Sequence, residues 1–149
     1  MPAKIIPDIV NDQKLYELSQ SHSARDAAKL MTKAHVSAVL VVEEGRLLGI
    51  VTERDLTAQV VALGADPDET PLSAIMTADP DTLEPADAPL DALELMRTRG
   101  YRHLPVVASG TVVGMGSIRD LYAATKEQLE EDVRQREAFM FDKGYGASA

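Results

Sequence analysis

Two stretches of the chain carry the same polar pattern: Gly49-Ile50-Val51-Thr52-Glu53-Arg54-Asp55-Leu56 and Gly114-Met115-Gly116-Ser117-Ile118-Arg119-Asp120-Leu121. Each sets a small hydroxyl three residues before a carboxylate, with an arginine between them. At a strand-to-helix junction this is a capping box, in which hydroxyl and carboxylate satisfy N–H groups of the first turn. The same arrangement can also hold a ligand. A helix N-terminus offers free N–H groups and partial positive charge, the hydroxyl can turn toward a ligand oxygen, and a carboxylate can accept both hydroxyls of a ribose. The two readings are compatible, and the residues alone leave both open. Arg54 and Arg119 read equally as solvated helix charges and as phosphate partners. Arg102-His103 lies just before an apolar run, and at a cleft edge this pair would hold phosphate by charge-assisted hydrogen bonds. The corresponding residues of the first half are Ser37 and Ala38, so the two halves are expected to offer unequal phosphate sites.

Other chemistries fit less well. Ser117, His103 and Asp120 could be drawn as a triad, but Ser117 and Asp120 belong to a pattern whose other copy has Ala38 in place of the histidine. Gly114-x-Gly116 lacks the third glycine of a dinucleotide fingerprint, and no Walker A sequence occurs. His22, His35 and His103 have no metal-ligand spacing, and the absence of cysteine removes thiolate zinc sites, disulfides and thiol nucleophiles. Fifteen Lys and Arg stand against 24 Asp and Glu, a net charge of -9 that repels nucleic acid at long range. Between Arg54 and Arg97 there is no basic residue and there are ten acids. The longest apolar run, Val60 to Ala65, has six residues, far short of a membrane span, and the N-terminus lacks the pattern of a signal peptide. The expectation is a non-enzymatic cytoplasmic protein with no metal site and neither a membrane nor a nucleic-acid partner.

What positions the two motifs is a duplication. Sliding Ala24–Leu56 onto Pro89–Leu121, an offset of 65, pairs 33 positions without gaps, 11 of them identical. In each unit an apolar stripe at helical spacing predicts a helix, over about 24–34 and 89–99. Ser23-x-x-Asp26 caps the first. Short β-branched runs around Gly45 and Gly110 predict hairpins over 38–51 and 104–117, and second helices follow from Thr52 and Ile118. Gly64 stops the first of these, and Leu72–Met76 reads as a short helical lead into the second unit. In 149 residues and 16.1 kDa, a unit of about 50 residues has too little interior to stand alone, so the pair is the folding unit, and a pseudo-twofold axis between the copies would create two equivalent clefts.

These residues, together with Tyr101-Arg102-His103-Leu104-Pro105-Val106-Val107, resemble a tandem pair of CBS domains, a Bateman module, over roughly Leu15–Leu63 and Met76–Thr125. The resemblance implies an α+β fold of two β-α-β-β-α repeats related by a pseudo-twofold axis, followed here by a C-terminal helix. It divides the chain into 1–63 (N-terminal segment and first repeat), 64–75 (acidic linker), 76–125 (second repeat) and 126–149 (helix and frayed tail). It also implies adenosine ligands such as AMP, ADP or ATP, with NAD or S-adenosylmethionine as further candidates, bound in the clefts between repeats. Asp55 and Asp120 would then take the ribose diol, and Thr52 and Ser117 the ribose or phosphate. Arg54, Arg119, Arg102 and His103 would serve the phosphates, and Leu18, Ala38, Ile50, Leu83, His103 and Met115 would form the base slot. By the same resemblance the chain is expected to be a homodimer and a stand-alone regulatory module that signals to a partner protein by conformational change. The alternative is a ligand-independent oligomerisation or interaction module whose motifs only cap helices.

The ends carry less. Ile5, Ile6, Ile9 and Val10 predict a lead-in strand or turn. Residues 126–143 predict a helix of about four turns with Leu129, Val133 and Met140 on one face and Phe139 and Phe141 beside them. That apolar end is expected either to dock on the module or to meet a partner.

Overall fold

Ser23 and Asp26 open the first helix as their spacing predicts: the Ser23 side chain accepts from the Asp26 amide, and the Asp26 carboxylate accepts from the Ser23 amide. The computed structural model describes residues 3–10 and 13–142, with side chains described as far as Met140. Strand β1 (Glu17–Leu18) precedes helix α1 (Ala24–Ala34), and strands β2 (Ala38–Glu43) and β3 (Arg46–Thr52) form an antiparallel hairpin. Its two turn residues, Glu44 and Gly45, have φ of +50° and +78°, the doubly left-handed turn that matches strand twist. Helix α2 (Glu53–Leu56) follows directly and continues through a π turn, Thr57–Val61, rather than as the uninterrupted helix predicted. There the Thr57 hydroxyl donates to the Glu53 carbonyl, a side-chain bond that competes with the backbone ladder.

After helix α3 (Leu72–Ile75) and strand β4 (Thr77–Ala78), the order repeats as α4 (Pro89–Arg99), β5 (His103–Ala108), β6 (Thr111–Ser117) and α5 (Ile118–Asp142). The β5–β6 turn, Ser109-Gly110, has φ of +52° and +79°, nearly the values of its counterpart. The second repeat's version of β1 shrinks to one parallel bridge, Leu83 with Val106, where the first repeat pairs Leu18 with Val41.

The repeats exchange the segments that precede them. Leu72 and Ile75, just ahead of the second repeat, are buried in the first core with Ala27, Met31, Val39, Val41 and Val51. Ile5 and Val10, ahead of the first repeat, are buried in the second core with Ala92, Met96, Leu104 and Leu121. The N-terminal segment, a π turn over Ile5–Ile9, is also tied to the second repeat through Ile5 N–H to Asp87 O and Ile6 N–H to Pro85 O. It therefore completes the other repeat, not the one it adjoins in sequence. The expected acidic linker is likewise structural. Arg25 pairs with Asp68, Ala24 N–H donates to Thr70 O, and Leu72 N–H donates to His22 O. What stops the chain there is Gly64, at φ +68°. The matching position is Leu129, so the second repeat's last helix runs on: α5 is one helix of 25 residues, not two. The expected frayed tail, Gly144 to Ala149, and the side chain of Phe141 lie outside the described residues.

The exchange explains two of the repeated glycines. β4 pairs with β3 so closely that a Cβ on Gly49 would sit 2.7 Å from both Met76 Sδ and the Thr77 carbonyl oxygen. On Gly114 a Cβ would sit 2.6 Å from Val10 Cγ1. Here the Gln13 side chain takes the strand's place, its amide donating to Met115 O and its carbonyl accepting from Met115 N–H. Gly49→Ala meets backbone that cannot swing away, and is expected to cost about 2 kcal/mol, lowering Tm by roughly 6 °C. Gly114→Ala meets a side chain and should cost less, as thermal unfolding of the two variants will show.

Candidate functional site

Two clefts of about 680 and 690 Å3 open where the repeats meet. Into the first, α2 presents Thr52, Arg54 and Asp55; into the second, α5 presents Ser117, Arg119 and Asp120. Most of the linings correspond under the 65-residue offset: Pro80 and Asp81 of the first cleft with Leu15 and Tyr16 of the second, Ile50 with Met115, and Gly100 with His35. Each motif thus places a helix start, a hydroxyl, a cation and a carboxylate on the wall of a concave space of small-molecule size.

The sequence-identified residues divide as follows. Thr52, Arg54, Asp55 and Ile50 line the first cleft; Ser117, Arg119, Asp120, Ala38 and Met115 line the second. Arg102 and His103 line both. This corrects the expectation that the Arg102-His103 pair makes one cleft the better phosphate site. The pair sits at the pseudo-twofold axis, where the Ser37 hydroxyl and His103 Nε2 share a hydrogen bond of 2.8 Å across the repeats. Leu18 and Leu83 are the other correction, since neither lines a cleft. Leu83 is buried in the second core, and Leu18 lies against the first. They are equivalent positions, and both are held by parallel pairing to the hairpin, to Val41 and Val106. The chain reaches the clefts two or three residues earlier, at Leu15, Tyr16, Pro80 and Asp81, which sequence reasoning missed although the offset pairs them. Ser37 was also passed over, because only the tertiary contact gives it a role.

The two helix starts differ. At the first the box is complete: Thr52 Oγ1 accepts from the Asp55 amide at 3.2 Å, and Asp55 Oδ2 accepts from the Thr52 amide at 2.9 Å. At the second, Ser117 Oγ accepts from the Asp120 amide at 3.2 Å, but among the described residues the Asp120 carboxylate accepts no hydrogen bond. Charge differs too. Glu53 and Asp81 in the first cleft stand where the second has Ile118 and Tyr16, so the first carries two carboxylates that the second lacks at those positions.

His103 is the half-buried titratable group between the clefts. Burial pushes its pKa below the usual 6.5; the carboxylates of Glu53 and Asp120 oppose this shift, and Arg102 reinforces it. The unfolded chain therefore takes up the proton before the folded one. The stability from neutral His103 is present above about pH 6.5 and is lost as pH falls through the folded value. Tm is expected to fall from about pH 7.5 to 5.5 more steeply in the wild type than in His103→Asn, by scanning fluorimetry.

Comparison with known proteins places this architecture. The chain is 33% identical over 120 residues to the CBS domain-containing protein CBSX3, mitochondrial, of Arabidopsis thaliana, covering 77% of this chain and 58% of that protein. It spans only 24% of a second Arabidopsis relative, CBSCBSPB2. Its fold matches a protein with CBS domains from Burkholderia ambifaria MC40-6 at a TM-score of 0.78 and 31% identity, over 83% of this chain and 93% of the other. It also matches the CBS domain protein PAE2072 of Pyrobaculum aerophilum, solved in complex with AMP, at a TM-score of 0.68 and 30% identity, over 73% and 84%. The sequence pattern of the CBS domain fits residues 8–62 and 72–127, the stretches that build the two clefts, and this chain belongs to the CBS-domain family.

Proposed function

We propose that the chain is a regulatory CBS pair that binds adenosine nucleotides in its two clefts and passes occupancy to a partner protein as a change in the relation between the repeats. The observation that carries this reading is the matched pair of clefts, each with a hydroxyl, an arginine and a carboxylate at a helix start facing the Arg102-His103 segment. Helix-start N–H groups and arginine suit phosphate, and a carboxylate suits a ribose diol. The AMP complex of PAE2072, a relative of 30% identity, supports the ligand class. Ile50 in the first cleft, and Ala38 and Met115 in the second, supply apolar surface for a base.

The second cleft suits the more highly charged ligand. It lacks counterparts of Glu53 and Asp81, and the Asp120 carboxylate is not engaged in a cap. Ser37 and His103 form a wall common to both clefts, so a ligand that displaces their hydrogen bond in one changes the other. Binding energy would thereby shift the population of repeat arrangements.

Titration calorimetry with AMP, ADP and ATP tests the proposal. Asp120→Ala is expected to weaken binding about tenfold while lowering Tm less than Asp55→Ala does, since only the charge of an exposed first-turn carboxylate is lost and no cap hydrogen bond. Asp55→Ala should weaken binding and also cost about 1 kcal/mol of stability through the broken cap. Arg119→Gln should reduce ATP affinity more than AMP affinity. Folded protein that gives no heat with any of the three at millimolar concentration would defeat the nucleotide reading. It would leave the motifs as helix caps of an interaction module, the alternative that the complete box at Thr52 and Asp55 favours.

A further inference from the structure

Helix α5 is about 37 Å long and leaves the repeats behind. Beyond Thr125 every described side chain to Met140 is exposed except Asp132, which is half-buried. It nevertheless carries an apolar stripe. At 100° per residue, Ile118, Tyr122, Thr125, Leu129, Val133 and Met140 fall within roughly 80° of one another. Tyr122 is 68% exposed, Leu129 60% and Val133 52%. A helix of this kind draws most of its stability from burying such a face, and nothing in its own chain covers this one among the described residues.

The stripe is palindromic. With Arg136 included, its residues are spaced 4, 3, 4, 4, 3 and 4 along the chain, centred on Leu129. Laid antiparallel against a second copy, Leu129 meets Leu129, Val133 meets Thr125, Met140 meets Ile118, and Arg136 meets the ring of Tyr122. The flanking charges follow the same reversal. Arg119 and Lys126 lie on one flank before Leu129, and Glu130 and Glu137 lie on that flank after it. Twofold antiparallel pairing sets like flanks side by side, which brings each cation within two residues of a carboxylate of the other copy. A parallel pair would oppose Arg136 to Arg136 and leave this flank facing Gln128, Asp132 and Gln135. The geometry points to a second copy of this chain as the occupant of the stripe: α5 pairs antiparallel with α5 across a twofold axis at Leu129.

Sedimentation velocity on the full chain over about 1 to 200 μM tests this. The wild type is expected to be a dimer, and Leu129→Glu a monomer whose repeats still unfold cooperatively, with a Tm that no longer depends on protein concentration, since residue 129 lies off the repeat cores. Lys126→Glu and Glu130→Lys should each raise the dimer dissociation constant about tenfold by setting like charges opposite each other. An equimolar mixture of these two variants should recover the wild-type affinity, because in the mixed pair each substituted side chain faces its opposite. Lys126 and Glu130 also pair within one helix, at 4.0 Å. Mixing does not repair that pair, so recovery reports the contact between chains. A monomeric wild type, a dimer indifferent to Leu129→Glu, or a mixture no tighter than its components would overturn the inference and leave the stripe to another partner or to solvent.

Discussion

Neither repeat of this protein can close its own core, and the rest of the structure follows from how that is solved. A unit of about 50 residues leaves one face of its hairpin and helices open. The gap over the first repeat is filled by Leu72 and Ile75, and the gap over the second by Ile5 and Val10, in each case by the segment that leads into the other repeat. Because the filling segments cross over, the repeats are bound by backbone and apolar contacts at once. The crossing is tight enough to exclude a Cβ at Gly49 and Gly114. Two of the identities between the repeats are thereby explained by close approach, independently of any ligand.

The same crossing makes the clefts. Bringing β4 alongside β3 places Thr77, Pro80 and Asp81 opposite the Thr52–Asp55 helix start; bringing Gln13 alongside β6 places Leu15 and Tyr16 opposite Ser117–Asp120. The 37–38 and 102–103 segments are left back to back on the axis, joined by the Ser37–His103 hydrogen bond. A residue on the pseudo-twofold axis borders both clefts, so Arg102 does not distinguish them. What distinguishes them is the unduplicated residues at the rims, Glu53 and Asp81 against Ile118 and Tyr16, and the state of the two caps. Duplication supplied the frame, and divergence within it set the charge of each cleft.

Much of this was legible in the residues. The 65-residue offset, the capping boxes, the two-residue turns at Gly45 and Gly110 and the apolar stripes of α1 and α4 are local patterns, and local hydrogen bonding and periodicity are what a sequence states directly. So is the chemistry of the two motifs: a hydroxyl, an arginine and a carboxylate at a helix start are identified by type and spacing, before any contact is known. The run of α5 past Thr125 was half legible, since Leu129, Val133 and Met140 share a face, but with no glycine at position 129 to match Gly64 nothing stops the helix, and two expected helices are one.

What the sequence could not carry is which surface each segment meets. Leu18 and Leu83 look as suitable for a binding slot as Ile50 and Met115, and only the parallel pairing to Val41 and Val106 turns them to the cores. Residues 64–75 have a linker's composition but contribute Leu72 and Ile75 to a core. The N-terminal isoleucines adjoin the first repeat yet complete the second. In each case the deciding contact joins residues far apart in the chain. Residue types and spacing alone determined the duplicated units, the chemistry they carry and the charged residues in which the two copies differ; the exchange of segments and the shared wall at His103 arise only when distant surfaces compete to bury the same apolar face.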